Sequence, residues 1–260
     1  MDKRKFIYYS DELHDEFSVT QIEPRRIDKD WVYVYTSRFK KFTHFFWYRV
    51  VATPIAFFYC KGVFGQRAKG LHKLKKFRKT GFFMYGNHTQ DIADAFIPTL
   101  ATFPQDVYVI VHPNNVSMPY LGKITPSLGA LPLPDELAAY KNFKEAIETR
   151  INGNNCVVVY PEAHIWPYYT KIRPFPDTSF DYPAKLGTPV FVFTNTYHKR
   201  RFFKHPRIVT YIDGPFYPDM DKSPRKRRKE LREKVYKVMC KRAELSDHVQ
   251  IKYIRRESKQ

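Results

Sequence analysis

With 260 residues and 43% hydrophobic content, the chain is long enough to bury a full core. Its formal charge of +19 repels a compact fold and calls for an anionic partner, either nucleic acid or an acidic lipid surface. The three cysteines, Cys60, Cys156 and Cys240, are too widely spaced for a metal-binding pair.

The basic start, Met1 to Lys5, leads into Ser10-Asp11-Glu12 without the apolar core of a signal peptide. Together with the unpaired cysteines this predicts a reducing, cytosolic location. Residues 1–42 are polar and mixed in charge, apart from a short apolar alternation at Trp31 to Tyr35. The most apolar stretch follows, Phe45 to Cys60, rich in Phe and carrying Trp47 and Tyr48. A spanning helix needs roughly 20 apolar residues. This stretch is shorter and is interrupted by Arg49 and Pro54, so it reads as a buried helical hairpin or as a helix lying in a membrane interface. From Lys61 to Thr80 there are eight Lys/Arg and no acid, which favours the interface.

From residue 81 the rhythm changes. Short apolar runs at 81–86, 106–111, 156–160, 189–193 and 208–212 predict strands. Between them, 91–100 predicts a helix, and Leu137, Tyr140, Phe143, Ile147 and Ile151 mark a longer one, opened by Pro134 or Asp135 and closed by Asn152-Gly153. Ser223 to Ala243 predicts a basic helix with Leu231, Val235, Val238 and Met239 as its apolar stripe, its cations forming either a solvated face or a binding surface. This alternation predicts an α/β fold: a mixed, largely parallel sheet flanked by helices, with an interfacial helical segment before it and a basic helix after it. The expected divisions are 1–80, with the membrane-surface segment at about 43–80; 81–220, the α/β domain; and 221–260, a helical extension holding 15 Lys/Arg against six acids.

Two clusters sit just past strand ends, where open α/β sheets place ligands. The first is Gly86-Asn87-His88-Thr89-Gln90-Asp91-Ile92-Ala93-Asp94. A histidine at such a turn, with carboxylates three and six residues on, can act as a general base held in one tautomer. The bland alternative is a helix-capping Asn-His with solvated aspartates. The second cluster is Tyr160-Pro161-Glu162-Ala163-His164, followed by Lys171 and Arg173. A glutamate there could hold an acceptor hydroxyl and the cations a phosphate; a turn residue with an exposed acid is the simpler reading.

As a set, Asn87-His88, Leu128-Gly129-Ala130-Leu131-Pro132, Tyr160-Pro161-Glu162 and Thr188-Pro189-Val190 resemble, in order and interval, the motifs of the glycerophospholipid acyltransferase family, whose best-known members acylate lysophosphatidate. The resemblance runs from about residue 81 to about 195. It implies His88 as general base, an aspartate orienting it, Asn87 and Glu162 at the substrate, and direct attack of a lysophospholipid hydroxyl on an acyl-CoA or acyl carrier protein thioester, with no bound cofactor, no metal and no acyl-enzyme. Three positions depart from the family. Its aspartate position holds Ala93, so the partner of His88 is expected to be Asp94, with Asp91 in reserve. Asp135 stands where an arginine is usual, and Ala163-His164-Ile165 replaces Gly-Thr-Arg. Phosphate binding then passes to Lys171, Arg173 or His164.

The expected partner is the anionic cytoplasmic face of the cell membrane, engaged peripherally or monotopically, and not nucleic acid, because an apolar stretch adjoins the basic one and no nucleic-acid motif is present. A basic nucleic-acid-binding protein and a non-catalytic lipid-binding member of the fold are the alternatives.

Overall fold

A computed structural model describes residues 5–17 and 22–256; the first four residues of the basic start lie outside it. Strand β1 (Lys5–Tyr9) opens the chain. The apolar alternation around Trp31 forms no strand: Tyr33 is buried and its hydroxyl donates to Pro132 O at 2.9 Å, pinning an irregular segment to the core.

From Arg38 to Phe64 the backbone stays helical, through α1 (Arg38–Phe45), a π-helical segment (Phe46–Ala52) and α2 (Thr53–Phe64). Pro54 has no N–H to return to the carbonyl four residues back, and the helix widens ahead of it, with Thr53 N–H bonding Tyr48 O. This is one continuous stretch, so a hairpin is not formed. Gly65, at φ +53°, ends it in a left-handed cap. One side is buried by Tyr48, Ala56, Cys60 and Phe64. The other leaves Phe39, Phe42, Phe45, Val50, Ile55 and Phe58 exposed, Phe39 by 77% and Phe58 by 73%. No helix among the described residues is long and apolar enough to cross a membrane.

The remaining elements are β2 (Arg67–Lys69), α3 (His72–Lys75), β3 (Phe82–Gly86), α4 (Ala93–Thr102), β4 (Val107–Val111), α5 (Asn114–Ser117), β5 (Ala130–Pro132), α6 (Leu137–Asn152), β6 (Cys156–Val159), α7 (Asp181–Leu186), β7 (Val190–His198), β8 (Arg207–Phe216), α8 (Pro224–Ala243) and β9 (Ile251–Arg255). Seven strands form one sheet in the order β2-β8-β7-β3-β6-β4-β5. The five from β7 to β5 are parallel; β8 runs antiparallel to β7, and β2 pairs parallel to β8. The fold is therefore mixed and mostly parallel, as the alternation of strands and helices predicts. β1 and β9 pair separately as a two-stranded parallel ribbon.

The central strands are buried on both faces, which is why they read as unbroken apolar runs. Along β3, Phe82 and Met84 enter one core with α2 and α4, while Phe83 and Tyr85 enter the other with α6 and α8. Gly86 closes the strand because a Cβ there would meet the Phe193 ring at 2.2 Å. The divisions at 80 and 220 fall within this packing, since β2 extends the sheet and Leu231, Val235, Met239 and Ala243 of α8 belong to the same core as Phe83.

Three local expectations change. Helix α6 begins with Leu137 exposed, and neither Pro134 nor Asp135 caps it: Asp135 Oδ2 accepts from Ile27 N at 2.6 Å and so ties down the N-terminal segment. On α8 the stripe recurs every four residues at 231, 235, 239 and 243, leaving Val238 half-buried. The helix expected from residue 91 starts at Ala93, because Asp91-Ile92 form the turn that presents Asp94.

Candidate active site

The site forms where β3 ends between β6 and β7. Asn87 is buried, and its side chain brackets the neighbouring strand: Nδ2 donates to Asn195 O at 3.0 Å and Oδ1 accepts from Asn195 N at 2.8 Å. This fixes the turn that follows. Trp166 N and Tyr168 N then donate to His88 O and Thr89 O at 3.1 and 3.0 Å, so the chain beyond Glu162 runs alongside the turn.

Of the two candidate carboxylates, Asp94 reaches the histidine. Its Oδ2 lies 3.0 Å from His88 Nδ1 and also accepts from Thr89 N at 2.8 Å and Gln90 N at 2.9 Å. Its Oδ1 accepts from Asn195 Nδ2 at 3.2 Å. Four donors on one carboxylate satisfy the hydrogen-bonding capacity of a group that is 1% exposed. Because a carboxylate only accepts, Nδ1 carries the imidazole proton, leaving Nε2 as the basic nitrogen. Asp91 is exposed beside the pair; desolvation and then the Asp94 charge raise its pKa, with His88 opposing.

Tyr160 fixes the ring. It stacks on His88 with centroids 4.4 Å apart and planes 21° apart, and its hydroxyl donates to Asp94 O. That carbonyl is free for a reason written in the sequence: four residues on stands Pro98, which has no N–H to return to it. Burial and the Asp94 charge push the Tyr160 hydroxyl well above its ordinary pKa, keeping it a donor.

The second cluster is built differently from the expectation. Glu162 and Arg173 are both fully buried and face each other, Nε to Oε2, at 3.0 Å. Arg173 divides its other donors among Glu162 O at 3.1 Å, Glu12 O at 3.2 Å and His164 O, and it lies over the Trp166 ring at 4.9 Å. Arg173 is thus bound up inside the protein and is not presented to a phosphate, while Glu162 meets this cation and not an open acceptor pocket. Burial pushes the Glu162 carboxyl up to about 8 against the pull of Arg173, and its Oε1 has no hydrogen-bond partner. Lys171 is exposed, and His164 Nδ1 lies 3.4 Å from Glu16 Oε2. Ala163 adopts φ +62°, a left-handed conformation costly for a residue with a Cβ, at the position where the resembled motif has glycine.

Asn195 and the hydroxyl of Tyr160 are the site groups that sequence reasoning passed over. Asn195 lies 101 positions from Asp94, and no spacing links the two. Among the described residues, no cluster of three or more His, Cys, Asp or Glu side chains could hold a metal ion.

No protein-family model and no curated protein sequence matches the chain. A match does come from solved structures: the fold is similar to the crystal structure of the 1-acyl-sn-glycerophosphate (LPA) acyltransferase PlsC from Thermotoga maritima, with a TM-score of 0.52 and 18% identity over 80% of this chain and 81% of that one. At that identity the likeness is one of architecture, and the chain is accordingly built on an α/β scaffold shared with a lysophosphatidate acyltransferase, carrying a buried aspartate against a histidine where its central strand ends.

Proposed function

We propose that the protein is an O-acyltransferase that moves a fatty acyl group from an acyl-thioester to the hydroxyl of a lysophospholipid, with 1-acyl-glycerol-3-phosphate as acceptor and phosphatidate as product. The observation that carries this reading is the His88–Asp94 pair, oriented so that Nε2 is the free base. Nε2 takes the acceptor's hydroxyl proton while its oxygen attacks the thioester carbonyl carbon. The carbon–sulfur bond then breaks, and the departing thiolate recovers the proton from the imidazolium. Asp94 balances the charge that the ring acquires. The co-substrate is acyl-CoA or acyl carrier protein. With Arg173 committed to Glu162, Lys171 and His164 remain as the groups for the acceptor phosphate.

In this reading the protein works peripherally on the cytoplasmic face of the cell membrane. The exposed aromatics of α1 and α2 enter the interface, while Lys75, Lys76, Arg78 and Lys79 meet anionic headgroups.

Purified protein incubated with acyl-CoA and lysophosphatidate tests the claim by release of free thiol. His88→Ala is expected to slow release roughly 10²–10⁴-fold, the usual contribution of a general base. Equal release by both proteins would remove His88 from that role.

A further inference from the structure

Beyond the Asp94–His88 contact, the hydrogen bonding continues inward in one direction. Lys61 Nζ donates to Gln66 Oε1 at 3.3 Å, and Gln66 Nε2 to Thr210 Oγ1 at 3.0 Å. Thr210 Oγ1 donates to Asn195 Oδ1 at 2.7 Å, and Asn195 Nδ2 to Asp94 Oδ1 at 3.2 Å. A lysine ammonium can only donate and a carboxylate can only accept, so the ends dictate the sense of every link. The two amides, Gln66 and Asn195, are therefore held in one orientation each. Gln66, Thr210, Asn195 and Asp94 are at most 4% exposed, so no bulk water competes for these groups. Aligned bonds in such surroundings polarise one another.

The division of labour at Asp94 gives this chain its purpose. Both backbone donors of the turn go to Oδ2, the oxygen shared with His88; the hydrogen bond to Oδ1 comes from Asn195. Asn87 binds only the Asn195 backbone, so the Asn195 side chain has no part in that strand contact. We propose that Asn195 and Thr210 are positioning residues of the His88–Asp94 pair, the inner links of a one-way hydrogen-bond chain from Lys61 that keeps Asp94 aligned on the imidazole. The proposal rests on reading His88 as the general base of acyl transfer.

The test uses the full chain with Asn195→Ala, Thr210→Val and Thr210→Ser, following the His88 ring proton by NMR titration and thiol release from acyl-CoA with lysophosphatidate. Asn195→Ala removes the donor to Asp94 Oδ1, and Thr210→Val removes the hydroxyl that orients that donor, so in both the carboxylate is free to turn away from the imidazolium. The His88 midpoint is therefore expected to fall by roughly half a pH unit or more in Asn195→Ala and Thr210→Val. In both, kcat is expected to fall roughly 10- to 100-fold with KM little changed. Thr210→Ser, which keeps the hydroxyl, restores both readouts. The other titratable groups facing the pair, Cys60, Asp91, Tyr160, Glu162 and Tyr197, are untouched by these substitutions. A midpoint that stays in place overturns the proposal, even where activity falls. A midpoint that moves in a protein whose wild type releases no thiol upholds the positioning and overturns the acyl-transfer reading instead. Should Asn195→Ala fail to fold, Thr210→Val, which keeps shape and backbone, decides.

Discussion

At the scale of single residues, burial sets the chemistry more than neighbouring charge does. Asp94 has both its oxygens met by four donors, whereas Glu162, equally buried, has one unpartnered oxygen and an arginine whose donors are shared with three carbonyls. The consequence is a pH dependence of stability with a definite sign. An unfolded glutamate loses its proton near 4.5, the folded Glu162 at about 8. Between those values the native state holds a proton that the unfolded state has released, so stability falls as pH rises through this window and levels off above it. Thermal denaturation from pH 5 to 8.5 should show this decline, worth a few kcal/mol, and Glu162→Gln should flatten it. A profile already flat over this range in the wild type would mean that the pair is ionised throughout. Neither behaviour could be read from Pro161-Glu162 alone, since a glutamate after a strand is equally at home in water.

Between elements, the end of β6 is joined to the start of α4 by Tyr160 and Pro98. Pro98 removes the donor that a regular helix would send to Asp94 O, and the Tyr160 hydroxyl supplies another from the neighbouring strand end. Tyr160→Phe leaves a buried carbonyl unsatisfied and is expected to cost about 1–3 kcal/mol in chemical denaturation. In a Pro98→Ala background the helix can supply its own N–H, so the same substitution should cost clearly less. Additive effects in this double-mutant cycle would show that the two residues are not coupled. Elements of this kind were partly legible beforehand. Strands β3, β4, β6, β7 and β8 show as apolar runs because both their faces are covered. β2 is three residues, Arg67–Lys69, with two exposed cations, and only its pairing with β8 makes it a strand. β1 and β9 stand nearly the whole chain apart, and their joining depends on the rings of Tyr9, Phe17 and Tyr253 meeting around Trp166.

For the whole molecule, a charge of +19 and a helix with one bare aromatic side belong to the same expectation. Sedimentation with anionic phospholipid vesicles is expected at low salt, weakening as added salt screens the basic surface. Replacing Phe39 and Phe58 by Ser should weaken binding roughly tenfold or more without lowering thermal stability, because both rings are exposed and their burial would occur only in lipid. Equal binding to neutral and anionic vesicles would remove the basic surface from this role. By itself the sequence determined the alternation of apolar strands and amphipathic helices, and with it the α/β class, because hydrophobic periodicity is a local property of the chain. It also determined that a histidine stands at the turn after the first central strand. Only the tertiary structure decided between Asp91 and Asp94, enclosed Arg173 with Glu162, and brought Asn195 to the Asp94 carboxylate. Those outcomes depend on which groups lose water and which donors reach them across the sheet, and both are settled by packing between segments far apart in the chain.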